Sequence, residues 1–297
     1  MEKRYKGCLF GLAVGDALGA PVEFLTLPQI KRKYGGGGIK DFDSWGGFPA
    51  GTYTDDTQMS LATAAGCIGA WKRGMEKGIW HPPSFVNLKY LEWLETQSDP
   101  RQVRAPGNTC LSALRSGKMG TVDEPVNNSK GCGGVMRTAP AGLAFPPGQA
   151  FEQGAAFAAI THGHPSGYLP AGVLAELIAH LVRGIDLEKA AGLSLIPLRG
   201  AKGYQETMDC LEKAKELAQS SLAAPQAIEK IGEGWVGEEA LGISLYCSLK
   251  FRNDWAGGVL ASVNHSGDSD STGSITGAIL GTLLGLEAIP VTGCREL

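Results

Sequence analysis

Glycines recur at every fourth position near both ends of this 297-residue chain: Gly7, Gly11, Gly15 and Gly19, then Gly273, Gly277, Gly281 and Gly285. Residues four apart lie one above another on an α-helix, so each set forms a nearly straight rib without side chains along one helix face. Each glycine costs a helix about 1 kcal/mol relative to alanine. Eight of them in register require a packing reason, and close approach of another backbone supplies it. The second run covers about Ile275 to Ile289, contains Glu287, and falls short of the roughly 20 apolar residues a membrane span needs. Buried core helices are therefore expected at both ends. If the two ribs pack together or on common neighbours, the residues before the last helix come near the N-terminal segment that carries Asp16 and Glu23.

Between the ribs, strand signals are sparse and runs rich in Ala, Leu and Gly with three-to-four spacing recur. The chain reads as mostly helical, and no clear domain boundary divides it. From Pro170 to Val182, six apolar side chains from Val173 to Val182 form one stripe, with Gly184 past the end. His180 beside it reads as a packed or surface residue, not a ligand. Tyr204 to Leu222 reads as an amphipathic outer helix, and Ser84 to Glu95 as a further helix after a linker-like Gly74 to Pro83. Leu27 to Gly51 reads as the longest irregular stretch, either a flap over a substrate or a surface excursion.

Composition narrows the function. With 43% hydrophobic and 19% charged residues the chain is of the globular class, and a formal net charge of -3 without a basic run argues against nucleic acid as the main partner. Seven scattered cysteines with no CxxC spacing indicate neither a disulfide framework nor a zinc site, and fit a reducing cytosol. No signal-peptide pattern opens the sequence, so a cytoplasmic location without a membrane partner is expected.

Two acidic clusters open directly onto helical runs: Thr54-Asp55-Asp56-Thr57 and Gly267-Asp268-Ser269-Asp270-Ser271-Thr272. Helix capping accounts for one carboxylate or hydroxyl in each. It does not ask for two aspartates at each of two places. Hard divalent cations take carboxylate and hydroxyl oxygens, and a pair of ions needs several carboxylates from different parts of the chain. The clusters thus read as halves of one oxygen-only metal site. Inside a regular helix Asp55 and Asp56 would point about 100° apart, so convergence is expected to need the non-helical backbone of a helix start.

No GxSxG elbow, Walker loop, GxGxxG after a strand or HExxH is present. The run Ser129-Lys130-Gly131-Cys132-Gly133-Gly134-Val135-Met136-Arg137 places three glycines before an apolar segment. Its backbone N–H groups either cradle a diphosphate at a helix N-terminus or make a tight turn that requires glycine. Gly107-Asn108-Thr109 begins another helix, and Thr161-His162-Gly163-His164 interrupts two more. Cys132 has no adjacent base and is not read as a nucleophile.

Together these residues resemble the ADP-ribosylglycohydrolase family over nearly the whole chain. The resemblance is carried by Gly7 to Gly19 with Glu23, Thr54 to Thr57, Gly131 to Pro140, His162, and Gly267 to Gly273, in that order. It implies an all-α, single compact orthogonal multi-helix domain over residues 1–297 with a central dinuclear metal cleft holding two Mg²⁺ or Mn²⁺. By position it implies Thr54, Asp55, Asp56, Asp268, Asp270 and Ser271 as metal ligands and Glu23 as the catalytic acidic residue. Gly107, Ser129, Gly131, Cys132, Gly133, Gly134, Met136 and His162 are implied in ADP-ribose binding. Two positions depart from relatives: Ala105 stands where some have Asp, and Cys132 where others have Asn.

The implied activity is metal-dependent hydrolysis of the glycosidic bond of an ADP-ribosylated protein, releasing ADP-ribose, with arginine as the expected acceptor. Serine-linked and O-acetyl-ADP-ribose are alternatives within the class. A two-metal phosphoesterase and a non-catalytic, crystallin-like binder are alternatives outside it. The binder has no need for Glu23 together with four metal aspartates.

Overall fold

In a computed structural model, which describes residues 1–290, the two glycine ribs lie against each other. They belong to the first and last of the fourteen α-helices among the described residues: α1 (Glu2–Gly19), α2 (Leu27–Tyr34), α3 (Asp55–Lys77), α4 (Pro82–Thr96), α5 (Asn108–Arg115), α6 (Ala139–Ala144), α7 (Gln149–Ala159), α8 (Pro165–Val182), α9 (Leu187–Arg199), α10 (Gln205–Gln219), α11 (Ala224–Ile231), α12 (Gly237–Lys250), α13 (Trp255–Val263) and α14 (Ser269–Leu284). No strand occurs among the described residues, and the chain is all-α as expected. Cys294 and the remainder of 291–297 lie outside them.

The pairing of α1 and α14 is antiparallel, with three pairs of glycines facing each other and Gly19 facing Ser269. A Cβ on Gly7 would fall 2.1 Å from the Gly281 carbonyl oxygen, one on Gly11 2.2 Å from that of Gly277, and one on Gly15 2.1 Å from that of Gly273. No side chain fits there, which explains why two costly ribs are kept. The direction of the pairing fixes the site: the end of α1 lies beside the start of α14.

Behind this pair, α8 is buried along nearly its whole length, among α6, α7, α9, α12 and α14. The expected stripe from Val173 to Val182 is therefore one side of a helix that is apolar almost all round, as a core helix must be. It begins at Pro165, five residues before Pro170, which lies inside it. His180 is packed, its Nε2 3.2 Å from Glu176 Oε1. α10 buries Thr207, Met208, Leu211 and Ala214 on one face and exposes the other, as an outer helix should.

Two stretches differ from the sequence expectation. Leu27 to Tyr34 is not irregular: Thr26 and Gln29 form a capping box, with Pro28 in the first turn, and these start α2. Irregular backbone is confined to 35–54. Gly74 lies inside α3, which runs on to Lys77 and ends at Gly78 in the left-handed conformation, so the linker before α4 is shorter than expected. No single helix among the described residues is long and apolar enough to cross a membrane.

Candidate metal centre and active site

Three chain segments meet at the open end of the α1–α14 pair. Beyond Gly19, one 3₁₀ turn (Ala20–Val22) carries the chain to Glu23. Facing it, Asp268 caps α14 and Asp270 sits in that helix's first turn. Ligand-type oxygens of Glu23, Asp268 and Asp270 all lie within 4.8 Å of one another. The third segment is the start of α3, tied to α1 by Asp16, whose carboxylate accepts the N–H groups of Thr54 and Thr57.

These ends line one cleft of about 410 Å³, whose walls include Glu23, Asp55, Asp56, Asp268, Asp270 and Ser271. Contrary to the expectation of non-helical backbone, Asp55 and Asp56 are the first two residues of α3 itself. Both reach the cleft because Cα–Cβ bonds tilt toward a helix N-terminus, and that end of α3 faces the cavity. Thr54 is fully buried behind this wall. Its hydroxyl accepts the Asp56 N–H at 3.3 Å and caps the helix. Asp268 caps α14, its Oδ1 accepting the Ser271 N–H at 3.2 Å. Capping thus uses one group per cluster and leaves Asp55, Asp56 and Asp270 over.

Five carboxylates line the cleft, and its lining contains no Lys or Arg. Without cations they repel one another in a low-dielectric recess. Burial, then Asp268 and Asp55, push Glu23 up to about 9. Burial pushes Asp55 up to about 8, although it accepts the Gly107 N–H. Asp56 and Asp270 are also held well above the ordinary carboxylate range, again chiefly by burial. The Oδ1 of Asp56 has no hydrogen-bond partner among the described residues. An all-carboxylate recess with an orphaned buried oxygen fits hard divalent cations, which supply the missing positive charge.

The opposite wall holds much of the expected ADP-ribose lining: Gly107, Gly131, Cys132, Gly133, Met136 and His162 all face the cleft. Ser129 and Gly134 stand behind it. The Ser129 hydroxyl accepts the Gly131 N–H at 3.3 Å. Gly134 is needed for packing, since a Cβ there would fall 2.5 Å from the Gly167 carbonyl. The expected phosphate cradle is a single 3₁₀ turn (Cys132–Gly134), and the Cys132 N–H is spent on the Trp235 carbonyl at 3.1 Å. His162 is buried, its Nδ1 2.9 Å from the Thr161 hydroxyl. Burial and the Arg137 guanidinium push its pKa down to about 3, so it stays neutral. Asn108 and Thr109, which open α5, also face the cleft.

Sequence reading missed the aromatic pair at the cleft mouth and noted Ala105 only as a departure from relatives. Phe24 and Trp235 stack at the cleft mouth with ring centroids 5.7 Å apart and an interplanar angle of 19°, Phe24 being 75% exposed. Ala105, in the lining, holds a φ of +55°, an unusual left-handed conformation for a residue with a Cβ. Single aromatics and a lone alanine carry no periodic signal. Asp16 was noted only for its position near the ribs, and its role depends on the third segment.

Five carboxylates thus gather where α1 ends and where α3 and α14 begin, in an all-helical chain. The chain belongs to the ADP-ribosylglycohydrolase family, whose profile matches residues 1–297. It is 30% identical over 305 residues to the ADP-ribosyl-[dinitrogen reductase] glycohydrolase of Rhodospirillum rubrum, a match covering 98% of this chain and 88% of that protein. It is 26% identical over 300 residues to the ADP-ribosylarginine hydrolase Tri1 of Serratia proteamaculans, covering 96% and 72%. A solved "ADP-ribosylglycohydrolase-related protein complex" superposes with a TM-score of 0.75 at 28% identity, covering all of this chain and 92% of the other.

Proposed function

We propose that this enzyme hydrolyses the C1'' glycosidic bond of ADP-ribosyl-arginine on a modified protein, releasing ADP-ribose, with two Mg²⁺ or Mn²⁺ held by the acidic cleft. Asp55, Asp56, Asp268 and Asp270 would hold the ions, with Ser271 beside them. The Thr54 hydroxyl, committed to its helix cap, would join them by turning. The ions, when bound, supply Lewis-acid polarisation of a water and of the ribose hydroxyls.

The remaining chemistry falls to the chain's own groups. As the bond to the acceptor lengthens, positive charge grows on the ribose, and a recess walled by carboxylates stabilises it. Glu23 stands at the edge of the acidic group. It takes a proton from the attacking water, whose oxygen forms the new bond to C1'', and the departing guanidine gains a proton. The neutral His162 and the glycine turn bound the ADP-ribose side without adding charge.

The observation that carries this reading is the convergence of Glu23, Asp268 and Asp270 within 4.8 Å. Arginine as acceptor is supported by two features. The cleft presents a cationic leaving group with carboxylates and no competing Lys or Arg, and one relative bears the name ADP-ribosylarginine hydrolase.

The test is incubation with Mg²⁺ and matched arginine-linked and serine-linked ADP-ribosyl peptides, with product identification by mass spectrometry and Asp268→Ala as control. Free ADP-ribose from the arginine peptide alone is the expected result. Release from the serine peptide instead would reassign the acceptor. AMP or phosphate as product would replace glycosidase action by phosphoester cleavage.

A further inference from the structure

Behind the glycine turn stands Arg137, fully buried and without a carboxylate partner among the described residues. Its Nη2 donates to the Thr161 hydroxyl oxygen at 2.6 Å. A guanidinium can only donate, so that oxygen is an acceptor there and has its own proton left to give. His162 Nδ1 lies 2.9 Å away on the other side. The Cys110 sulfur also stands beside this hydroxyl, but sulfur is the weaker acceptor and this one already receives Arg137 Nη1 at 3.2 Å.

The direction of this chain of bonds decides what His162 shows to the cleft. Burial and the same guanidinium keep the imidazole neutral, so one ring nitrogen carries a proton and the other a lone pair. With the Thr161 proton directed at it, Nδ1 holds the lone pair and Nε2 the proton. The opposite arrangement would aim an imidazole N–H and a guanidinium N–H at one oxygen and turn a lone pair toward the cleft. Nε2 makes no hydrogen bond among the described residues, although the side chain is 1% exposed. It lies beside the bare faces of two glycines of the lining, since a Cβ on Gly131 or Gly133 would fall 3.4 or 3.3 Å from it. A buried polar nitrogen left unpaired at a cavity wall points to a ligand atom.

A donor is what this wall lacks. The cleft lining contains no Lys or Arg, and the Cys132 N–H is spent on the Trp235 carbonyl. We propose that Thr161, held by Arg137, is a positioning residue that fixes the tautomer of His162, so that Nε2–H donates to an oxygen of the bound ADP-ribosyl group, the occupant taken over from the proposed function. The diphosphate carries the strongest acceptors of that group. Thr161 is itself buried and outside the cleft lining, so it acts through the imidazole.

The tautomer is read directly in protein labelled with ¹⁵N at its five histidines, from two-bond proton–nitrogen correlations, the His162 signals being those lost in His162→Ala. The wild type is expected to show a lone pair on Nδ1 and a proton on Nε2. ADP-ribose affinity is measured by calorimetry with Mg²⁺ present. Thr161→Val should lower it about 10-fold or more, the worth of a hydrogen bond to a charged oxygen, and Thr161→Ser should restore it. In a His162→Ala background, Thr161→Val should add no further loss, because the two act as one unit. A proton on Nδ1 in a wild type that binds ADP-ribose overturns the relay and leaves the proposed function standing. So does a Thr161→Val loss that is absent, or that persists undiminished beside His162→Ala. A wild type that binds no ADP-ribose overturns the ligand and the proposed function together. Circular dichroism establishes that the variants are folded, and the wild-type spectrum decides the tautomer independently of how Thr161→Val packs.

Discussion

Asp16 holds Thr57 by two hydrogen bonds to one oxygen: its Oδ2 accepts the Thr57 N–H at 3.0 Å and the Thr57 hydroxyl at 2.5 Å. Its Oδ1 accepts the Thr54 N–H at 2.9 Å. Asp16 lies on α1 and both threonines at the start of α3, so this carboxylate sets where Asp55 and Asp56 stand relative to Glu23. Burial pushes Asp16 up to about 6 while these donors pull it back. Asp16→Asn replaces an acceptor with an N–H₂ group facing donors. Groups that orient metal ligands typically cost about 10- to 100-fold in affinity when removed. Mn²⁺ affinity of Asp16→Asn, measured by calorimetry, is expected to fall in that range while the helical circular dichroism persists. Unchanged affinity would remove Asp16 from the positioning role.

The raised carboxylates make a pH prediction for the metal-free protein. Glu23 at about 9, Asp55 at about 8 and Asp16 at about 6 lie above their ordinary values. Between about pH 4 and about pH 9 the folded state therefore binds more protons than the unfolded chain, and stability falls as pH rises. Scanning calorimetry in a chelator is expected to show Tm declining from about pH 5 to about pH 9. Added Mn²⁺ should raise Tm most at the alkaline end, where the carboxylates are free to bind. A metal-free Tm that climbs across this range would contradict the repulsion described for the cleft.

The glycine seam gives a stability prediction. In Gly11→Ala or Gly277→Ala the new Cβ meets the facing carbonyl oxygen at 2.2 or 2.0 Å. Backbone cannot yield as a side chain does, so the cost is placed at about 3 kcal/mol or more, the upper end of overpacking. Urea midpoints should drop accordingly. The exposed Gly192, with open space at its Cβ, is the control: Gly192→Ala in the middle of α9 should gain up to about 1 kcal/mol.

Replacing Glu23, the proposed proton carrier, separates chemistry from binding. Glu23→Gln keeps the shape of the side chain and is expected to lower kcat by about 10²- to 10⁴-fold. ADP-ribose affinity, read by calorimetry with Mg²⁺ present, should change far less, because the glycine turn and His162 are untouched. Equal losses in kcat and in affinity would make Glu23 a binding residue.

The legible parts of this protein were the ones whose physics is local. The ribs announce themselves by a period of four, and their meeting follows from the cost of leaving backbone bare. The paired aspartates exceed what capping requires, which marked them before any geometry was known. What stayed hidden depends on neighbours far along the chain. Whether Ser129 or Gly131 faces the cavity is decided by which side of a tight turn packs on α8. The stacking of Phe24 on Trp235 joins positions with no sequence pattern between them. α2 was missed for a different reason: its Thr26–Gln29 capping box is a local signal, outweighed by the glycines that follow at 35–38.

The bare seam between α1 and α14 also sets the timetable of assembly. Its halves lie roughly 250 residues apart along the chain, and contacts of such range are costly to close and late to form. At a synthesis rate of about 5 to 20 residues per second, α1 waits many seconds with its groove uncovered. Until α14 emerges and docks, Glu23 has no Asp268 or Asp270 to face. On the proposed function, uptake of a divalent ion is then a certificate of maturity, issued only to chains whose first and last helices have found each other.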